Sequence, residues 1–146
     1  MAGQESEADP QVRRRRLIRA AVILLLAASA AGAASVTRFE FSRSGGQTPG
    51  RSVSGVVELG ASGGRVTSAN GFRRDLGSDE VAKLREALAQ PPPIPVPSPD
   101  AYTYAVRIVR GKKSRTMTLT DASNHPLVPW LQKETAAISR VPPASR

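Results

Sequence analysis

Polar and apolar residues alternate over four stretches of this chain. In VTRFEFS, residues 36–42, Phe39 and Phe41 share one face while Arg38 and Glu40 share the other, the period-two pattern of a half-buried strand. After the turn-rich RSGGQTPG, residues 43–50, the stretch RSVSGVVELG puts Val53, Val57 and Leu59 on one side. These two strands predict a hairpin. A second glycine turn, Ser62 to Gly64, leads into a short strand near RVTSA, residues 65–69. Further on, AYTYAVRIVR sends Tyr102, Tyr104, Val106 and Ile108 one way and Thr103, Ala105, Arg107 and Val109 the other. GKKS turns the chain, and RTMTLTD returns with Met117 and Leu119 inward, a second hairpin.

Two segments carry the longer helical period instead. In LGSDEVAKLREALAQPPP, Val81, Leu84 and Leu88 line one stripe. Ser78 suits the N-cap, and Asp79 and Glu80 place negative charge where the first-turn amides favour it. Pro91 to Pro93 end the helix. In NHPLVPWLQKETAAIS, Leu127, Leu131 and Ile138 form a second stripe with Trp130 beside it. Pro126 and Pro129 fit only near a first turn, so this helix is expected to begin between them. The order ββ(β)αββα predicts an α+β fold: a small antiparallel sheet of four to five strands with both helices on one face.

The first third of the chain follows neither pattern. Residues 11–35 read QVRRRRLIRAAVILLLAASAAGAAS, five arginines ahead of an apolar run from Ala20 to about Ala34 that ends in small residues. That is the composition of a secretory signal peptide, with a small-residue exit such as Ala31–Ala33 and a mature start near Ala34. An uncleaved membrane anchor is the competing reading. It would need about 20 strongly apolar residues, and this run is shorter and half alanine. RRRRLIR also resembles a twin-arginine export signal, with Arg13 where a Ser or Thr usually stands. The expected organisation is therefore a signal or anchor at 1–34, one α+β domain at 35–140, and a disordered tail at 141–146. The protein is expected to be exported, whether periplasmic, at the cell surface or secreted.

Charge survives removal of the leader. Residues 1–34 hold five of the 21 basic and three of the 12 acidic residues, which leaves 16 against 9 and a net charge of +7. Such a domain can associate with anionic envelope polymer or a membrane surface. Arg110, Lys112, Lys113 and Arg115, on the tip of the second hairpin, are the residues for it. Arg73 and Arg74 add a second cluster. Export and the inward face of Tyr102 and Tyr104 speak against nucleic acid as a partner. The chain has no cysteine, so no disulfide staples the domain.

Catalytic chemistry finds few candidates. With no cysteine and His125 the sole histidine, the chain lacks the donors of the usual zinc sites. His125 precedes a proline at a helix start and reads as a turn residue, and no G-x-S-x-G elbow accompanies it. Neither a phosphate loop of the G-x-x-x-x-G-K-[ST] type nor a dinucleotide fingerprint occurs. No cofactor and no enzymatic activity are expected. PPPIPVPSPD, within which 91–99 is the connector, has six prolines in ten residues. It reads as a stiff extended spacer, with a docking ligand for aromatic grooves as the alternative. The paired glycines of RSGG leave three options open: a phosphate cradle, a bare hairpin turn, or a loop presented to another protein.

Several of these elements, in one order from Val36 to Gln132, resemble the emfourin family of bacterial proteinaceous inhibitors of thermolysin-like (protealysin-type) metallopeptidases. They are RFEFSRSGG, the helix DEVAKLREAL, PDAYTYAVRIV, RTMTLTD and PLVPWLQ. The resemblance implies a compact α/β protein without cofactor that binds a metallopeptidase and blocks its substrate cleft. On that reading the contact loop runs from Ser44 through Gly45, Gly46, Gln47 and Thr48 to Pro49, flanked by Arg43 and Arg51.

Overall fold

A computed structural model describes residues 36–47 and 52–143. The strands are β1 (Arg38–Gly45), β2 (Val53–Leu59), β3 (Gly64–Thr67), β4 (Arg73–Leu76), β5 (Tyr102–Arg110) and β6 (Lys113–Thr120). The helices are α1 (Ser78–Ala89) and α2 (Val128–Ser139). The strands form one sheet in the order β4-β3-β2-β1-β5-β6, antiparallel throughout. The first four strands make a meander. Then α1 carries the chain back across the sheet, so that β5 joins the free side of β1 and β6 completes a hairpin. The signal or anchor segment 1–34 and the end of the expected tail lie outside the described residues, and no helix among the described residues is long and apolar enough to cross a membrane.

The alternation read from the sequence sets which face is buried. Phe39, Phe41, Val57, Leu59, Tyr104, Val106, Ile108, Met117 and Leu119 point into one core. Val81, Leu84 and Leu88 of α1 and Leu131 and Ile138 of α2 meet them there. Phe39, Phe41 and Trp130 form an aromatic cluster, with Trp130 edge-on at 5.7 Å from each phenylalanine ring. The other face of the sheet carries Arg38, Glu40, Ser42, Ser54, Glu58, Arg65 and Thr67, and no helix among the described residues covers it.

Two expectations need correction. The sheet has six strands rather than four to five, because Arg73–Leu76 pairs with β3 as β4. That segment has a single inward apolar residue, Leu76, and its second inward position is Arg74, opposite Val66. Ser78 is the first helical residue of α1 and not its cap; the cap position is Gly77, and no side chain bonds there. The start of α2 lies between Pro126 and Pro129, as expected, with Leu127 at the cap position.

An arginine joins the far edge of the sheet to both helices. Arg74 donates from Nη1 and Nη2 to Glu80 of α1, and from Nε and Nη2 to Glu134 of α2. Trp130 Nε1 donates to the same Glu80 at 2.9 Å. Glu134 is 1 % exposed, so the arginine supplies the charge that makes its burial tolerable. The Arg74 guanidinium holds the Glu80 carboxyl down at about 2, with the Trp130 indole assisting against the opposing effect of burial.

Candidate functional site

The residues singled out at the β1–β2 connection lie at one end of the sheet. Arg43, Ser44 and Gly45 still belong to β1 and pair with Tyr104, Thr103 and Tyr102 of β5. Gly45 and Gly46 then take φ values of 82° and 81°, which turn the chain off the sheet. Ser44, Gly45 and Gln47 are exposed. Thr48, Pro49 and Arg51 lie outside the described residues.

The base of this loop is anchored. The Arg43 guanidinium sits 4.4 Å from the Tyr102 ring centroid, in cation–π contact. It also donates to Thr135 Oγ1 at 3.3 Å and Ser139 Oγ at 3.1 Å, both on α2. Arg43 therefore braces the loop from below. Gly46 lies against the Tyr102 ring so closely that a Cβ there would overlap three ring carbons. Gly46→Ala is accordingly expected to displace Tyr102 and lower stability by about 1–3 kcal/mol, from positive φ together with steric overlap; thermal unfolding followed by circular dichroism checks this.

Tyr102 is fixed in turn by Asp121. Its backbone N–H donates to Asp121 Oδ2 at 3.1 Å, while Tyr104 Oη (2.8 Å) and Gln132 Nε2 (3.0 Å) donate to Oδ1. Burial would raise the Asp121 carboxyl, but the Gln132, Tyr104 and Tyr102 donors outweigh it and keep it below the ordinary value. Burial and the adjoining Asp121 carboxylate push the Tyr104 phenol above its ordinary value. Asp121 thus ties β5, β6 and α2 together beneath the loop.

The basic hairpin lies at the opposite end. Gly111 and Lys112 form its two-residue turn, with Gly111 at a φ of 56°. Arg110 and Lys113 stand directly opposite each other, and Arg115 stands opposite Ile108. By strand alternation all three share the helix-bearing face. Arg115 Nη2 donates to Leu88 O at 2.9 Å, near the carbonyl end of α1. Lys112 and Lys113 project into solvent. The other proposed cluster divides: Arg74 enters the ion-pair network, and Arg73 faces the uncovered side.

Among the described residues no group of three or more His, Cys, Asp or Glu side chains is placed to hold a metal. His125 is buried in the turn before α2, where its Nδ1 accepts from Leu127 N–H at 3.2 Å. Burial and nearby Arg115 lower its pKa. A shallow depression of about 580 Å³ on the uncovered face is lined by Ser42, Ser54, Val56, Thr67, Ala105 and Arg107, among others. Its ionic groups, Glu40 and Arg107, lie 3.7 Å apart and face each other. Neither place assembles a nucleophile with a base.

Comparison with protein-family models, with curated proteins and with solved structures finds no match to this chain.

Proposed function

We propose that this chain is an exported, non-enzymatic protein that occludes the substrate cleft of a thermolysin-like metallopeptidase with its loop 43–51. One observation carries the reading: the β1 arm of that loop is held before any partner arrives. Arg43 is fixed by Tyr102 and α2, Gly46 packs on the Tyr102 ring, and Tyr102 is held by Asp121. A loop ordered in advance loses less entropy on binding than a flexible one. The phosphate-cradle option loses ground here, because Gly45 and Gly46 leave a strand toward another strand and meet no helix N-terminus. The ordered likeness to the emfourin family supplies the partner class. With one histidine and no cysteine to compete for the metal, the chain would act by occlusion and leave the zinc in place.

Titration of a thermolysin-like metallopeptidase with the exported form is expected to abolish peptide hydrolysis near one equivalent, and to do so equally at high salt. Undiminished hydrolysis at stoichiometric excess overturns the proposal. A second reading rests on the hairpin tip, where Arg110 and Lys113 oppose each other as like charges, an arrangement that disfavours the strand pair. A surface that keeps such a pair suits an anionic envelope polymer or membrane, and binding of that kind weakens steeply with salt.

A further inference from the structure

β6 is an outer strand, with β5 on one side and, among the described residues, no strand on the other. Its register decides which of its backbone groups are left unpaired. The two-residue turn at Gly111 and Lys112 closes on Arg110 and Lys113, which therefore exchange both backbone bonds. Such pairs alternate with unbonded ones in an antiparallel ladder, so Lys113, Arg115, Met117 and Leu119 bond toward β5. Ser114, Thr116, Thr118 and Thr120 turn their N–H and C=O groups outward. The far end of the strand agrees, since Asp121 N–H donates to Tyr102 O. Thr120 is closed off there: its N–H donates to Ser123 Oγ, and its C=O accepts from Ser123 N–H. Among the described residues Ser114, Thr116 and Thr118 have no outward backbone partner, and all three are exposed.

Proteins blunt such edges. β4, at the opposite edge, is four residues long, and Arg73, Arg74 and Asp75 are charged. β6 has eight residues, with neither proline nor a bulge in its pairing. Its guard is positive charge: Lys113 and Arg115 stand on the helix-bearing side, with Arg110 and Lys112 beside them. No salt bridge among the described residues involves any of these four. The cations rule against the simplest occupant, a second copy of this chain. Antiparallel self-pairing centred on Thr116 uses all three open positions but sets Arg115 diagonal to its own copy. Centring on Met117 separates the arginines, yet Ser114 then faces Thr120, whose groups Ser123 already holds. The same charges favour a strand that carries acids.

We propose that the β6 edge binds an extended acidic segment of another protein, which adds a strand to the sheet. Backbone bonds to Ser114, Thr116 and Thr118 hold it, and its alternate side chains give specificity. Alternation fixes the pattern. Run antiparallel to β6, the segment places residues opposite Met117, Arg115 and Lys113 on the helix-bearing side, in that order along its own chain. The first of these is aliphatic, and the other two are Asp or Glu. The residues between them lie beside Thr116 and Ser114, where threonine suits. An acid against Lys113 also offsets the cation Arg110 on its other side. No residue of this edge belongs to the loop 43–51, so the inference stands apart from the inhibitor reading.

The test follows the fluorescence anisotropy of a labelled peptide, Thr-Val-Thr-Glu-Thr-Glu, titrated with the exported form. A control of the same composition, Glu-Glu-Val-Thr-Thr-Thr, puts its two acids on opposite faces and is expected to bind about tenfold more weakly. Thr116→Pro removes an outward N–H, and Lys113→Glu reverses a charge that lies in solvent. Each is expected to weaken the alternating peptide by about tenfold. Lys113→Glu should leave Tm no lower, because it ends the like-charge pair with Arg110. Equal binding of the two peptides would mean attraction by charge alone and overturns the proposal, as does unchanged affinity in Lys113→Glu. A chain that sediments as a dimer and excludes the peptide overturns it too.

Discussion

Arg74→Met is expected to destabilise the domain by about 3–5 kcal/mol, the range for removing one partner from a buried ion pair. Arg74 is the cation shared by Glu80 and Glu134, and Glu134 is almost wholly buried. Methionine fills a similar volume but leaves Glu134 without its partner, and it frees β4 from both helices. The pH dependence has a definite sign. Glu80 has a folded-state value of about 2 against an ordinary 4.5. Its contribution to stability is therefore complete above about pH 4.5 and is lost as pH falls toward 2. Between those limits the wild type is expected to lose stability faster than Arg74→Met, so the two converge in acid. Urea unfolding at pH 7, 4 and 2.5 measures this; a difference between the two proteins that stays constant across those pH values would refute the assignment.

The same network marks where the sequence stops being readable. Positions 127, 131, 134 and 138 lie on one face of a helix, and three of them are apolar while the fourth is Glu134. A carboxylate on a core stripe requires a buried cation, and that signal was present. What period counting could not supply was the identity of the partner, because Arg74 is 60 residues away and lies in a strand with almost no alternation. β4 owes its place to pairing with β3 and to this arginine more than to its own apolar content. The longer strands and both helices were legible because most of their inward positions are apolar.

The candidate loop shows the same division. Its glycines announce a turn, and its position between two strands excludes a helix-capped anion site. Arg43 looks in sequence like a charge flanking a loop, equivalent to Arg51. Only the register of β1 against β5 brings it beside Tyr102 and below α2. Strand pairing between residues about 60 positions apart decides that, and local patterning cannot. The connector was legible in its proline content, whereas the exposure of Ile94 and Val96 is seen only in the structure.

Gly55→Val is expected to cost about 3 kcal/mol, the upper part of the range for overpacking a filled core. Gly55 stands directly across from Phe41 in the β1–β2 pair, and the phenylalanine ring lies over it. A Cβ at Gly55 would come within 2.5 Å of Phe41 Cζ and 3.3 Å of Ile138 Cδ1. An aromatic ring covering a cross-strand glycine is a known device for recovering packing at a position without a side chain. Here it also aims Phe41 at Trp130, whose ring stands edge-on to it, so displacing one ring disturbs the seat of α2 on the sheet. The space is shared, and the two positions should therefore be coupled. Phe41→Leu alone opens a gap and destabilises, whereas Gly55→Ala combined with Phe41→Leu refills part of it. The double variant is expected to be more stable than the sum of its single effects by about 1 kcal/mol. Chemical denaturation of the two singles and the double measures that difference, and strict additivity would show that the ring does not occupy the volume above Gly55.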